Sequence, residues 1–174
     1  MAGSFERMVA GMERHSFRQV IRQACIDGFV ELRDERGFEH LLAAAKYGAA
    51  SQSRQSATAA IGRLAVHFPE RKRRTGEELA ELLHDPDFRI RVAAAGALRA
   101  IGDNAQAGAL DAMAGRELDG RAVRAAREAA ITIRKGVDTI AEVKALRDDF
   151  EKLRDENQKL KDRLDRVEVA APGR

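Results

Sequence analysis

The chain has 174 residues, three prolines and a formal net charge of +3, and 44% of its residues are hydrophobic but only 5% aromatic. This composition favours closely packed helices and argues against β-sandwiches, collagen and disulfide scaffolds. A charge of +3 is too weak by itself to indicate a polyanion as partner. The single cysteine, Cys25, excludes an intrachain disulfide and a cysteine-based zinc site, and it is predicted to be a small buried apolar side chain.

The start of the chain does not resemble a signal peptide, because Glu6 and Arg7 stand in the middle of residues 1–11. No apolar run approaches the roughly 18 residues that a membrane span needs, so no membrane partner is expected. If Met1 is the true start, the protein is expected in the cytoplasm.

Short amphipathic stripes recur along the chain, with residues spaced three and four apart as in helices. In chain order they are Phe5, Met8, Val9 and Met12; Phe38, Leu41, Leu42 and Ala45; Leu79, Leu82 and Leu83; and Ala107, Leu110 and Met113. Turn signals separate the helices at Tyr47-Gly48, Asp85-Pro86-Asp87, Gly102-Asp103-Asn104 and Leu118-Asp119-Gly120. Asp87 and Asp119 are predicted helix caps, and Tyr47 is expected to pack half-buried at a helix end.

Between the stripes lie longer segments that repeat one pattern beginning at an arginine. These repeat arginines are Arg22, Arg54, Arg91 and Arg124, between 32 and 37 residues apart. Three copies carry small residues at +2 and +3 and apolar residues at +7 and +10, and the fourth keeps the first part and the apolar residue at +7. Because these positions share one helix face, the pattern predicts about four helical hairpins stacked as a solenoid.

The repeat arginines have two interpretations. Either they line a concave groove and bind acidic ligands, or each pairs with an acidic side chain or carbonyl group of the neighbouring repeat. The second, structural interpretation is favoured, and Asp34 and Asp103 are the expected acids.

The arginine-led helix with Gly-Asp at its end resembles the HEAT-repeat class. A narrower resemblance rests on five stretches: Ser16-Phe17-Arg18-Gln19-Val20-Ile21-Arg22, Asp34-Glu35-Arg36, Ala45-Lys46-Tyr47-Gly48, Asp85-Pro86-Asp87-Phe88-Arg89-Ile90-Arg91, and Glu117-Leu118-Asp119-Gly120-Arg121-Ala122-Val123-Arg124. With the heptads that follow, the chain from about residue 3 to 168 resembles the C-terminal helical domain of bacterial aminopeptidase-N-like zinc metallopeptidases. The resemblance implies a domain that packs on a catalytic domain in cis and restricts access to its cleft.

The catalytic features of that family do not carry over to this chain. Its enzymes use an H-E-x-x-H motif with a downstream glutamate and a G-x-M-E-N-like substrate loop, and neither motif occurs here. No two of the four histidines, His15, His40, His67 and His84, stand at i and i+4. We therefore predict no catalytic residue, metal ligand or cofactor in this chain. Zinc is implied only for a parent peptidase domain, in which case Met1 is an internal position of a longer protein.

From about residue 139 to 169 the pattern changes to heptads with an apolar seam. The a positions are Val143, Phe150, Asn157 and Leu164, and the d positions are Leu146, Leu153, Leu160 and Val167. A single asparagine at a pairs with its own copy in a parallel dimer and disfavours other registers. The facing g–e′ pairs are all opposite in charge: Glu142–Arg147, Asp149–Arg154, Glu156–Lys161 and Arg163–Glu168. We predict a parallel homodimer; the alternative is a single charged helix that extends or caps the solenoid.

The densest basic run is Arg71, Lys72, Arg73 and Arg74, a candidate phosphate-binding patch. Because no aromatic residue interleaves the run to stack on bases, a solvated loop between repeats is favoured and nucleic acid is not expected as a partner.

The sequence therefore predicts an all-α chain with a HEAT-like α-solenoid over residues 1–137, a coiled coil over 138–169 and a disordered tail over 170–174. Its predicted function is a non-catalytic interaction or scaffold module that resembles the C-terminal domain of a zinc aminopeptidase, which packs on the catalytic domain and restricts access to the peptidase site. The alternative is a stand-alone adaptor that binds a protein partner and dimerises through its coiled coil, and a HEAT-like nucleic-acid binder ranks third.

Overall fold

A computed structural model describes the backbone of residues 3–49 and 51–170 and the side chains of residues 3–49 and 53–162. Leu164 and Val167 of the predicted seam lie outside the described side chains. The predicted tail begins at Ala170, the last residue of the final helix, and residues 171–174 lie outside the described residues.

The described chain is all-α, as predicted, and contains no strand. Its helices are α1 (Ser4–Met12), α2 (Val20–Leu32), α3 (Gly37–Ala45), α4 (Ser51–Ala65), α5 (Lys72–Glu81), α6 (Phe88–Ile101), α7 (Ala107–Arg116) and α8 (Gly120–Ala170). Single 3-10 turns stand at Phe17–Gln19, Pro69–Arg71, Leu82–His84 and Asn104–Gln106. Helix α1 packs against α2, α3 against α4 and α5 against α6, and Asp111 of α7 pairs with Arg134 of α8, so the helices form the four expected hairpins. The second helix of each hairpin carries one copy of the arginine-led pattern.

Aspartates define the helix starts that the turn signals predict. The Asp87 carboxylate accepts a hydrogen bond from the backbone N–H of Arg89 at the start of α6, at 2.9 Å. Asp119 does the same for the N–H of Arg121 at the start of α8, also at 2.9 Å. Each bond satisfies a backbone donor that the helix itself leaves without a partner, so both predicted caps are confirmed.

The core is built from the predicted stripes and from the repeat pattern. Cys25, Ala57 and Ala94 at +3 are buried, and so are Phe29, Ile61 and Leu98 at +7. The +2 position is less well placed: Ala24 is exposed, and Ser56 and Ala93 are half-buried. At +10, Leu64 and Ile101 are buried but Leu32 is exposed. The pattern therefore predicts the centre of the inward face correctly in the first three copies and overestimates its width, above all in α2.

The fourth copy of the pattern is aligned one residue too late. The buried residues at the start of α8 are Ala122, Ala126, Ala129, Ala130 and Ile133. Arg127 and Ile131, which the alignment places inward, are exposed. Shifting the alignment by one residue puts Val123, and not Arg124, at the position of the other repeat arginines. Alanines on both faces of α8 hide this shift in the sequence.

A glycine allows α4 and α6 to approach each other closely. A Cβ atom on Gly62 would lie 2.6 Å from both Cα and Cβ of Ala97. Such distances are shorter than real contacts, so only a residue without a side chain fits there. The repeat pattern predicts small residues at its seam but does not identify Gly62.

The chain divides into two compact units, Met1–Arg134 and Lys135–Arg174. The division falls within α8, three residues before the boundary that the sequence predicts. The first unit contains the buried core, whereas every described side chain of residues 135–162 is exposed.

Candidate functional site

Three of the repeat arginines donate hydrogen bonds to backbone carbonyl groups at the end of the preceding helix or just after it. Arg22 Nε donates to the Met12 carbonyl at 2.7 Å, and Arg54 Nε donates to the carbonyls of Ala45 and Lys46 at 3.1 and 2.9 Å. Arg91 Nη1 donates to the carbonyls of Asp85 and Pro86 at 2.7 and 3.0 Å. Carbonyls at a helix end lack intrahelical partners and carry partial negative charge, so a guanidinium group is well suited to them.

Two of these arginines also bind a carboxylate from the next repeat. Arg54 pairs with Asp85, and both side chains are buried. Arg91 Nε lies 2.5 Å from Glu117 Oε2, and this guanidinium lowers the pKa of Glu117, with help from the backbone N–H groups of Asp119 and Leu118. We call Arg22, Arg54, Asp85, Arg91 and Glu117 the arginine ladder. Its two acid pairs tie the second hairpin to the third and the third to the fourth through charge-assisted hydrogen bonds.

The acids of the ladder are not the ones that the sequence predicts. Asp34 binds Arg36 two residues away, and Asp103 accepts from the backbone N–H of Ala105. One sequence signal could have identified the true acids. Asp85 stands six residues before Arg91, and Glu117 stands six residues before Val123, so the acid repeats with the corrected alignment.

Arg124 takes no part in the ladder. It is exposed, and it forms no hydrogen bond or ion pair within the described part of the chain. It lies outside the ladder because Val123, and not Arg124, occupies the position of α8 that corresponds to the other repeat arginines.

Tyr47 is more exposed than expected. Its side chain is 80% accessible, although the Arg54 guanidinium carbon lies 5.6 Å from the centre of its ring. The expectation of half-buried packing is therefore wrong, because α3 ends at Ala45 and the turn carries Tyr47 away from the core.

The basic run lies at a helix start, and not in a loop. Arg71 ends a 3-10 turn, and Lys72, Arg73 and Arg74 form the first turn of α5. Arg71 pairs with Glu35 and covers the ring of Phe38. Arg73 pairs with Glu77 and Arg74 with Glu78, each across one helical turn. Three of the four cations thus have acidic partners inside the chain, which weakens the field available to a phosphate.

The described seam residues of α8 form an exposed apolar row. Val143, Leu146, Phe150, Leu153 and Leu160 are between 44% and 71% accessible. Isolated apolar side chains at a surface are ordinary, but a row at alternating spacings of three and four residues is typical of a helix that meets another helix.

The charges beside the seam are mostly free within their own helix. In the described part of α8, Asp149 binds Lys152 three residues on. The other described charges at e and g, namely Glu142, Arg147, Arg154, Glu156 and Lys161, form no ion pair inside the chain. They are therefore available to charges on a neighbouring helix.

No group of three histidine, cysteine or acidic side chains that could hold a metal ion occurs among the residues described. Of the four histidines, only His40 is even half-buried, and it stacks on Phe29 with ring centres 5.4 Å apart. Cys25 is buried, as predicted, and burial raises the pKa of its thiol. None of the described helices is both long enough and apolar enough to span a membrane.

No model of a known protein family matches the sequence, and no curated protein matches it either. The resemblance to the C-terminal domain of zinc aminopeptidases therefore stays a prediction.

Proposed function

We propose that the chain is a helical-repeat interaction module that pairs with a second copy through a parallel coiled coil formed by residues 143–167. The exposed apolar row of α8 is the observation that carries this proposal. Fully burying one such side chain is worth about 1.5–3 kcal/mol, so the described seam offers a substantial driving force for association.

A helix with the same heptads is the partner that fits the seam best. Side chains at alternating spacings of three and four insert between four residues of a facing helix. A second copy of the chain presents the same spacing at the same height. It therefore buries every seam position without needing a further protein.

Asn157 favours the parallel, in-register arrangement. It occupies an a position, and in a parallel dimer it faces its own copy, so that the two side-chain amides bond to each other. In an antiparallel pair it would face a d residue, and every d position is aliphatic. The buried amide would then lack a partner, which is costly.

The charges beside the seam agree with this arrangement. Parallel pairing places Glu142 near Arg147 and Glu156 near Lys161 of the other copy. Each exposed pair contributes only about 0.3–0.5 kcal/mol, so these charges select the partner more than they bind it.

Two double variants of the full chain test the proposal. Leu146→Glu with Leu153→Glu places two charges in the seam, whereas Ala145→Glu with Gln158→Glu adds the same charge on outer positions c and b. Sedimentation equilibrium should find the native chain and the outer variant as dimers at high micromolar concentration and the seam variant as a monomer. A monomeric native chain, or a seam variant that still dimerises, would contradict the proposal.

A dimer of this kind presents two repeat units on one particle. Linked units bind a partner with two sites more tightly than one unit does, because the second contact becomes intramolecular. We therefore propose an adaptor or scaffold role, in which a protein partner binds the repeat units and the coiled coil joins two such units in one particle.

A further inference from the structure

A cavity of about 320 Å³ lies beside Arg22 in the first repeat. Helices α1 to α4 and the turn after α3 supply its walls. The lining residues are Val9, Met12, Glu13, Arg22, His40, Ala43, Ala44, Ala49 and Ser53. This size is within the range of cavities that bind small ligands.

The arginine in this cavity has unused hydrogen-bond donors. Its Nε donates to the Met12 carbonyl, but its two Nη groups have no hydrogen-bond partner among the described residues. At the equivalent positions, Arg54 and Arg91 bind the end of the preceding helix and a carboxylate as well. Arg22 therefore has the first contact of a ladder arginine and lacks the second.

The second contact is missing because the chain has no acid at the required position. The ladder acids stand six residues before Arg91 and Val123, and the residue six before Arg54 is Gly48. A glycine leaves the space empty that a carboxylate fills in the next two repeats. Glu13 also lines the cavity, but it is exposed and forms no ion pair with Arg22 in the described structure.

We propose that this cavity binds the carboxylate of a small ligand with a short apolar body, and that Arg22 is the anion-binding residue. The planar guanidinium group matches a carboxylate, as the other ladder arginines demonstrate within this molecule. Val9, Met12 and the alanines of the wall provide apolar contact for the rest of the ligand. The site does not depend on the coiled coil, so it can be present or absent whatever the oligomeric state.

The test is an NMR titration of the full chain with two pairs of probes. Hexanoate represents a free carboxylic acid and hexanamide is its uncharged match. N-acetyl-L-leucine represents the C-terminal residue of a peptide and its amide is the match. Both acids should shift the methyl signals of Ala43, Ala44 and Ala49 in a saturable way, and the amides should not. The acid that binds more tightly identifies the source of the carboxylate.

Three variants connect the binding to the arginine. Arg22→Gln should weaken acid binding by at least about tenfold, the typical effect of losing a charge-assisted hydrogen bond. Arg124→Gln is the matched control, because it removes an exposed arginine that binds nothing, and it should leave binding unchanged. Ala49→Asp puts a carboxylate into the cavity and should also weaken acid binding. Both Arg22→Gln and Ala49→Asp are compared with the native chain as folded proteins.

Three results would overturn the proposal. The first is the absence of a saturable shift with either acid. The second is an equal shift with acid and amide, because the cavity would then recognise only apolar groups. The third is unchanged acid binding in folded Arg22→Gln or Ala49→Asp protein.

Discussion

Gly62 is important for stability although it has no side chain, because the backbones of α4 and α6 meet at it. Gly62→Ala would place a Cβ atom 2.6 Å from Ala97 and force the two helices apart. We expect a loss of about 1–3 kcal/mol in the free energy of unfolding, the usual cost of overpacking. Chemical denaturation followed by circular dichroism measures it.

Gly96 is the matched control for this substitution. It also lies in a helix, α6, but a Cβ atom there would meet nothing within 4 Å. Gly96→Ala should therefore stabilise the protein by about 0.5–1 kcal/mol, because alanine loses less backbone entropy than glycine on folding. Equal effects of the two substitutions would show that the contact between Gly62 and Ala97 is not made in solution.

Glu117 makes the free energy of unfolding depend on pH in the acidic range. Arg91 lowers the pKa of this carboxyl below its ordinary value of 4.5 in the folded protein. A carboxyl with a lowered folded pKa contributes stability above its unfolded pKa, and this contribution is lost as the pH falls through the folded pKa. Glu117→Gln should thus cost a constant free energy from pH 7 to 5, and the difference from the native chain should shrink below about pH 4.5.

A second substitution tests the cause of that pH dependence. In an Arg91→Gln background the guanidinium group is absent, so Glu117→Gln should cost less and its effect should vary less with pH. Thermal unfolding of the four proteins between pH 3 and 7 completes the cycle. An undiminished effect without Arg91 would assign the lowered pKa to the backbone donors alone.

The start of α5 combines two kinds of cation. Arg71 packs on Phe38 and pairs with Glu35, whereas Arg73 and Arg74 are exposed and Lys72 is half-buried on the first turn of the helix. Changing only the last three to serine should leave the melting temperature nearly unchanged, and adding Arg71→Ser should lower it, because the aromatic ring loses its cover.

The same element should bind duplex DNA only weakly. Acidic partners within the chain already neutralise three of its four cations, so few counterions are released on binding. Fluorescence anisotropy at several salt concentrations measures the affinity. Tight binding with a steep salt dependence that the triple serine variant abolishes would instead favour a nucleic-acid function.

An element can be predicted from the sequence when the residues that define it lie close together in the chain. The stripes of α1, α3, α5 and α7 have a period that one helix defines by itself, and their residues pack as predicted. Asp87 and Asp119 cap helices through bonds two residues long, which a sequence displays directly. The sequence does not reveal the ladder acids or Gly62, because their partners belong to other helices. Arg124 misleads the sequence pattern because this arginine stands one residue after the position that the buried face of α8 defines.

At the scale of the whole molecule, the aminopeptidase resemblance has its own test. If this chain contains only a non-catalytic domain, the purified protein should cleave no aminoacyl substrate and retain no stoichiometric zinc after dialysis. Metal analysis and a fluorogenic aminopeptidase assay measure both. Zinc retained at one ion per chain, or hydrolysis by the pure chain, would contradict the module hypothesis. An upstream reading frame with an H-E-x-x-H motif would support the peptidase family.

Asp85 belongs to two repeats at once, and this has a consequence for how the repeat unit unfolds. Its carboxylate holds Arg54 and its carbonyl holds Arg91, so the second and third hairpins share one residue. In a linear array, cooperativity arises from such coupling between neighbours. Asp85→Asn leaves the Arg54 charge buried without an ionic partner, at a cost of about 3–5 kcal/mol. Amides of α4 and α6 that exchange together in the native chain should then exchange at different rates, whereas Asp87→Asn, which alters only the cap of α6, should preserve a single concerted transition.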